Sequence, residues 1–311
     1  MADGVPGYEK YFDMPFGGTS EEPHIRKGPA CVVVGLVHLI CKLLFRFQIT
    51  GRENLYDIAD KTGVVVIGNH TSYLDVVFMY LSIWRPLWPR MIAKSTLFEG
   101  KPYILGWLLA RLGVLPIHRD TADKTAIKRA AKCLKNGELI CIMPEGTRRG
   151  KSDRAPELHA GAALIARMGH APILPMTVRD AEKIKQKGKM FRFPKVTVEF
   201  GQPVQIKDFD YLPKEQRLEA CTWYAMRECF AMFNRIAPED VDMVELFPNA
   251  FDFTQTFAEQ PPETISAKEL GAQLEEAARV KAEKAQAKAA QEQAKDTADW
   301  EKDGAVEGAD L

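Results

Sequence analysis

Two rhythms of apolar and polar positions alternate along the middle of the chain. Between about residues 63 and 205, short unbroken apolar runs are separated by longer stretches with helical spacing. The runs at 64–67, 90–93, 114–117, 139–143, 173–178 and 196–200 predict strands, and Gln48-Ile49-Thr50-Gly51 predicts a short strand and turn. The stretches 72–83, 102–112, 121–136 and 156–168 predict helices, and Asn136-Gly137 is a helix-ending pair. This alternation predicts an α/β fold, with a largely parallel central sheet flanked by helices.

The flanks read differently. Residues 1–28, rich in Gly and Pro, predict an irregular leader; the first stretch is polar and does not read as a secretory signal. Residues 29–46 predict a helix whose apolar run is broken by Lys42 and Arg46, short of the roughly 20 residues that span a bilayer. His38, Lys42 and Arg46 recur at i, i+4 and i+8, so a helix lying in a membrane interface with a basic row at headgroup level is expected. Residues 47–236 form the main domain and end in a helical pattern from about 214. The tail, 237–311, turns to Ala, Glu, Lys and Gln and predicts an exposed helix or a disordered extension, since it has too few large apolar residues for a core.

Composition narrows the function classes. With 311 residues and 46% hydrophobic content, the chain can bury a full core. The formal net charge is zero, so no global basic field favours nucleic acid as a partner. Cations nevertheless crowd the middle third (Arg111, Arg119, Lys124, Lys128, Arg129, Lys132, Arg148, Arg149, Lys151, Arg154) and read mostly as a solvated face. The six cysteines show no C-x-x-C pair and predict reduced, packed thiols. Zinc-type spacing is absent, so no metal and no cofactor is expected.

Two strand-end motifs carry chemistry. In Asn69-His70-Thr71-Ser72-Tyr73-Leu74-Asp75, a continuous helix would put His70 and Asp75 on different faces. They meet only if His70 precedes the helix and Asp75 lies in its first turn. Ser72 fits an N-cap with Asp75 at the third position, a capping box that is also the purely structural explanation. The chemical explanation is an imidazole that accepts an alcohol's proton, with a carboxylate fixing its tautomer. A nucleophilic Ser72 or Thr71 is disfavoured, because no Gly-x-Ser-x-Gly elbow is present. Backbone amides at the helix start, or Asn69, are the candidates for an oxyanion hole.

The second motif, Pro144-Glu145-Gly146-Thr147-Arg148, follows the run at 139–143. Gly146 lets backbone approach a ligand, and Arg148 can grip phosphate through two parallel bonds. Glu145 is expected to hold Arg148, Arg119 or a substrate hydroxyl. The run from Gly113 brings Arg119 to another strand end, and in an α/β sheet such ends share a crevice. Two arginines there predict a phosphomonoester site.

Together these residues resemble the glycerolipid acyltransferase family, in particular its 1-acyl-glycerol-3-phosphate acyltransferases. The blocks that carry the resemblance are His70 and Asp75, Gly113 to Arg119, Pro144 to Arg148, and Pro172-Ile173-Leu174-Pro175, over roughly residues 48–205. The chain departs from the family pattern at Pro116, Met143, Arg149-Gly150-Lys151 and His159-Ala160-Gly161. The resemblance implies His70 as base supported by Asp75, and Arg119, Glu145, Gly146, Thr147 and Arg148 around the acceptor's phosphate end. It implies an acyl thioester donor (acyl-CoA or acyl-carrier protein), membrane lipid as partner, and a place on the cytoplasmic face of the cell membrane. Lys94 resembles a basic residue found between the first two blocks. Trp84, Leu87, Trp88, Leu97, Phe98, Trp107 and Leu108 are candidates for contact with the acyl chain, or for core. The competing expectations are acylation of another lysolipid or of glycerol 3-phosphate, and a non-catalytic membrane-surface protein.

Overall fold

A computed structural model describes residues 7–85, 87–100, 103–118, 123–146, 148–149, 155–186 and 188–306. In chain order the elements are α1 (Lys10–Asp13), α2 (Gly28–Leu44), β1 (Gln48–Thr50), α3 (Arg52–Ala59), β2 (Val64–Gly68), α4 (Asp75–Ile83), β3 (Pro89–Lys94), α5 (Ile104–Arg111) and β4 (Leu115–Ile117). Then come α6 (Lys124–Lys135), β5 (Leu139–Ile142), α7 (Gly161–Gly169), β6 (Ile173–Arg179), β7 (Thr197–Phe200), α8 (Arg217–Asn234), α9 (Met243–Leu246), α10 (Thr254–Glu259) and α11 (Ala267–Val306). The predicted helix starts at 102 and 121 lie outside the described residues.

The strands form one sheet in the order β1-β7-β6-β2-β5-β3-β4. The five from β6 to β4 run parallel, as predicted, with Val65 opposite Ile140 and Ile173. β7 pairs antiparallel with β6, and β1 follows β7 in parallel, so this pair runs opposite to the rest. β2 is central and every residue of it is buried. Its unbroken Val-Val-Val-Ile run suits a strand covered on both faces. Helices α6, α7 and α8 pack together over β2, β5 and β6, while α4 crosses β3, β6 and β7. Pro116 sits in β4, the edge strand, where a missing amide costs little pairing.

The leader is irregular apart from α1, yet it is packed. Tyr8, Phe12, Phe16 and Ile25 are buried, and Phe12 meets Phe98 edge-on at 5.3 Å. Arg90, fully buried, pairs with Glu138 at 2.6 Å. The same carboxylate oxygen accepts from the Phe16 amide at 3.1 Å, and Arg90 donates to the carbonyls of Phe12 and Met14. Spacing of i, i+4 and i+8 in Tyr8, Phe12 and Phe16 was the available signal.

α2 turns its expected face around. His38 points inward, its ring 5.7 Å from Phe47 and its Nδ1 accepting from Trp84 Nε1 at 3.4 Å. Burial pushes the His38 imidazole below its usual range. It therefore does not join a basic row at headgroup level with Lys42 and Arg46. Val34 and Cys41 share the inner face, while Val32 (73% exposed), Val33, Leu36, Leu39, Ile40 and Leu43 (70%) face outward. Among the described residues, no helix is long and apolar enough to cross a membrane. In the tail, α11 packs by its first turns on α3, and Ala267 and Leu270 are buried. A side chain at Gly271 would meet the Asp57 carbonyl oxygen at 2.3 Å, so only glycine permits this close approach.

Candidate active site

The site begins where β2 ends. Asn69 is fully buried, and its side-chain oxygen accepts from the Val178 amide (2.9 Å) and Thr177 Oγ1 (3.0 Å). Its nitrogen donates to the Val178 carbonyl at 3.1 Å. Asn69 thus fastens the exit of β2 to β6, which corrects its candidacy as an oxyanion donor.

His70 is the next residue, and its backbone joins the two motifs. Its amide donates to Glu145 Oε1 at 2.9 Å, and its carbonyl accepts from the Arg149 amide at 2.9 Å. Its ring reaches the other way. Nδ1 lies 3.3 Å from Asp75 Oδ2, with the histidine side chain 15% exposed and the aspartate buried. A carboxylate only accepts, so Nδ1 carries the proton and Nε2 is the basic nitrogen. Nε2 has no hydrogen-bond partner among the described residues.

Asp75 opens α4 and serves both roles expected of it. Oδ2 also accepts from the amides of Thr71 and Ser72, each at 2.6 Å. The capping box is only half formed, because Ser72 Oγ accepts from Leu74, not from the amide of Asp75. With the amides of Thr71, Ser72 and Leu74 engaged, they are not free to stabilise an oxyanion.

The second motif turns at the end of β5. Glu145 is buried, and its Oε2 lies 2.5 Å from Arg149 Nε. The two atoms are close but not aligned as a hydrogen bond, so charge holds the pair. Burial raises the Glu145 carboxyl above its usual range, opposed by the neighbouring Arg149. Burial likewise lowers the Arg149 guanidinium, opposed by Glu145. The sequence reading gave Glu145 a different partner, Arg148, Arg119 or a substrate hydroxyl, and took Arg149 for a solvated cation. The structure pairs Glu145 with Arg149 and not with Arg148, and takes Arg149 off the solvated face. The Arg149 guanidinium stands 4.7 Å from the rings of Phe230 and Phe247 and donates to the Leu246 carbonyl at 3.3 Å. Nothing local announces these partners, which come from α8 and the end of α9.

Gly146 has φ +63°, and a Cβ there would lie 3.0 Å from His159 Cδ2. Arg148 stays on the outside of the turn. Its guanidinium carbon lies 3.6 Å from the centre of the Tyr73 ring, and Tyr73 is 69% exposed. Tyr73 is the residue that the sequence reading passed over. An aromatic between the two motif residues was its signal. Arg119, Thr147, Lys151 and Arg154 lie outside the described residues. β4, which precedes Arg119, ends on the same sheet edge as β2 and β5.

Of the apolar residues expected near substrate, Trp84, Trp88 and Phe98 are core, while Leu97, Trp107 and Leu108 are exposed. A cavity of about 600 Å³ opens at the opposite sheet edge, beside Gly63, Trp88 and Glu138, away from His70.

The chain is similar to known proteins. The acyltransferase family model matches residues 46–179. A 1-acyl-sn-glycerol-3-phosphate acyltransferase of Bacillus subtilis is 33% identical over 175 residues, covering 56% of this chain and 82% of that protein. A Streptococcus pneumoniae protein of the same name is 30% identical over 152 residues, which are 49% of this chain and about half (53%) of that one. Among solved structures, a 1-acyl-sn-glycerophosphate acyltransferase from Thermotoga maritima superposes with TM-score 0.47 at 21% identity, over 64% of this chain and 80% of that one. On the strength of the sequence relatives, the chain is a member of the acyltransferase family.

Proposed function

We propose that the protein moves a fatty acyl group from an acyl thioester to the free hydroxyl of 1-acyl-glycerol 3-phosphate, giving phosphatidic acid. The observation that carries this is the pair of hydrogen bonds from the His70 backbone to the Glu145–Arg149 turn, which ties the strand end bearing the base to the arginine turn. In the reaction, Nε2 takes the proton of the acceptor hydroxyl as its oxygen attacks the thioester carbonyl. The carbon–sulfur bond then breaks, and the thiolate leaves, taking the proton back from the imidazolium. Asp75 stabilises the imidazolium that forms. Arg148, half-buried and held against the exposed Tyr73, is the group that receives the acceptor's phosphate. Family resemblance assigns Arg119 and Thr147 to the same phosphate end. Acyl-CoA and acyl-carrier protein both fit the role of donor, and the reaction needs no further cofactor.

The outward row of α2 supports attachment to a lipid surface. Large aliphatic side chains so exposed are costly in water and favourable at an acyl boundary. In this reading the protein lies on the cytoplasmic face of the cell membrane, with its acceptor drawn from the same layer.

Lipid mass spectrometry after incubation with lysophosphatidic acid and acyl-CoA tests the reaction. Wild type yields the diacyl product, and His70→Ala lowers turnover by at least about a hundredfold. A panel of glycerol 3-phosphate and other lysolipids, against both donor classes, sets the acceptor. A wild-type protein that binds liposomes but acylates nothing would establish the binding-protein alternative instead.

A further inference from the structure

We infer that the segment joining β6 to β7 is a second membrane contact, which docks on an anionic lipid surface and holds the His70 edge of the sheet against it. This rests on the acyltransferase reading only for its purpose, not for its chemistry. The segment leaves β6 after Arg179, one residue beyond the strand position that Asn69 grips, so it starts on the sheet edge that carries His70. Because β1 and β7 run opposite to β6, the end of α2 and the start of β1 lie on this same edge.

The base of the segment is fixed. Ala181 and Ile184 are fully buried, the Arg192 amide donates to the Ile184 carbonyl at 2.9 Å, and Arg46 donates to the Phe193 carbonyl at 2.9 Å. Its tip is the reverse of a core: Met190 is 86% exposed and Phe191 and Phe193 are each 51% exposed. Their rings stand 5.3 Å apart and both lean on Phe45, directly after the outward Leu43 and Leu44 of α2. The apolar tip therefore extends the apolar face already offered by α2.

Charge selects the surface. Between Lys183 and Lys195 the sequence carries cations and no acid. Lys183 pairs with Asp180 at 2.5 Å. Lys185, Lys189, Arg192 and Lys195 make no ion pair among the described residues. Aromatic and thioether groups ringed by unpaired cations match the two layers of an anionic leaflet, acyl boundary beneath and phosphates above. An acidic protein would match the cations but would leave the three apolar side chains without a function.

The test is vesicle co-sedimentation of the full chain, with phosphatidylcholine alone or mixed with phosphatidylglycerol. Wild type should partition about tenfold or more strongly onto the anionic vesicles, with the preference falling at high salt. Replacing Lys185, Lys189, Arg192 and Lys195 together by Gln should remove most of that preference. Lys→Arg changes at the three lysines should keep it. Met190→Ser with Phe191→Ser should weaken binding to both vesicle types. Acylation of detergent-dispersed acceptor should be unchanged in every variant, which separates docking from folding and from chemistry. Wild-type vesicle binding by the Gln variant overturns the proposal. So does loss of turnover confined to an acyl-carrier-protein donor with vesicle binding kept, since the occupant is then an acidic carrier. If wild type acylates nothing in detergent, the enzymatic reading falls while the sedimentation data still decide the docking.

Discussion

One oxygen atom, Asp75 Oδ2, accepts from the His70 ring and from two backbone amides, so the cap and the orienting acid are the same group. That economy is why the motif was legible: all its parts lie within seven consecutive residues. The next layer is not local. Tyr73 supplies a face for Arg148, an interaction of about 0.5–1 kcal/mol at an exposed site. Tyr73→Ala should therefore raise the KM for the acceptor about two- to fivefold and leave kcat nearly unchanged; steady-state kinetics with varied acceptor measures this. An effect on kcat alone would count against the platform role. Arg149 is the stronger case. Removing it leaves the Glu145 carboxylate buried without its partner, which costs about 3 kcal/mol or more. Arg149→Ala should lower the unfolding free energy from denaturant titration by that amount, and Arg149→Lys should recover only part of it, because an ammonium cannot lie flat between Phe230 and Phe247. The sequence hid this role because all the aromatic partners sit more than eighty positions further along the chain.

Among elements, strands were the most legible, since a buried parallel strand is an unbroken apolar run and helices interrupt such runs. The reversed pair β7 and β1 was not legible in its direction, because apolar content is the same for either sense of the chain. The eight-residue α3 was missed for another reason: its polar residues hide a small buried face of Leu55, Ile58 and Ala59. α11 shows what composition can and cannot decide. Its first turns are fixed by contact with α3, while farther along exposed ion pairs within the helix, such as Arg279 with Glu276 and Glu283, add little to its backbone hydrogen bonds. Truncation after residue 280 should leave the melting temperature and turnover within error of wild type. Gly271→Leu, which drives a side chain into the Asp57 carbonyl, should cost about 1–3 kcal/mol by chemical denaturation. Equal effects of the two changes would mean that the distal helix has a structural partner.

At the scale of the molecule, the sheet has two working edges. The edge where β2, β5 and β6 end carries His70, the arginine turn, the end of α2 and the basic aromatic segment. The edge where those strands begin carries the Arg90–Glu138 pair and the leader that wraps it. Arg90 is fully buried, and its acceptors are one carboxylate and the carbonyls of Phe12 and Met14. A shortened protein that starts at Gly17 would strand part of a guanidinium in apolar surroundings and uncover Trp88 and Phe98, the ring partners of Phe16 and Phe12. Such trimming, a routine step toward better yields, should instead send the product to inclusion bodies, whereas an appended tag ahead of the leader should be harmless. The leader is thus a keystone set across the far edge, and the catalytic half is only as firm as that piece.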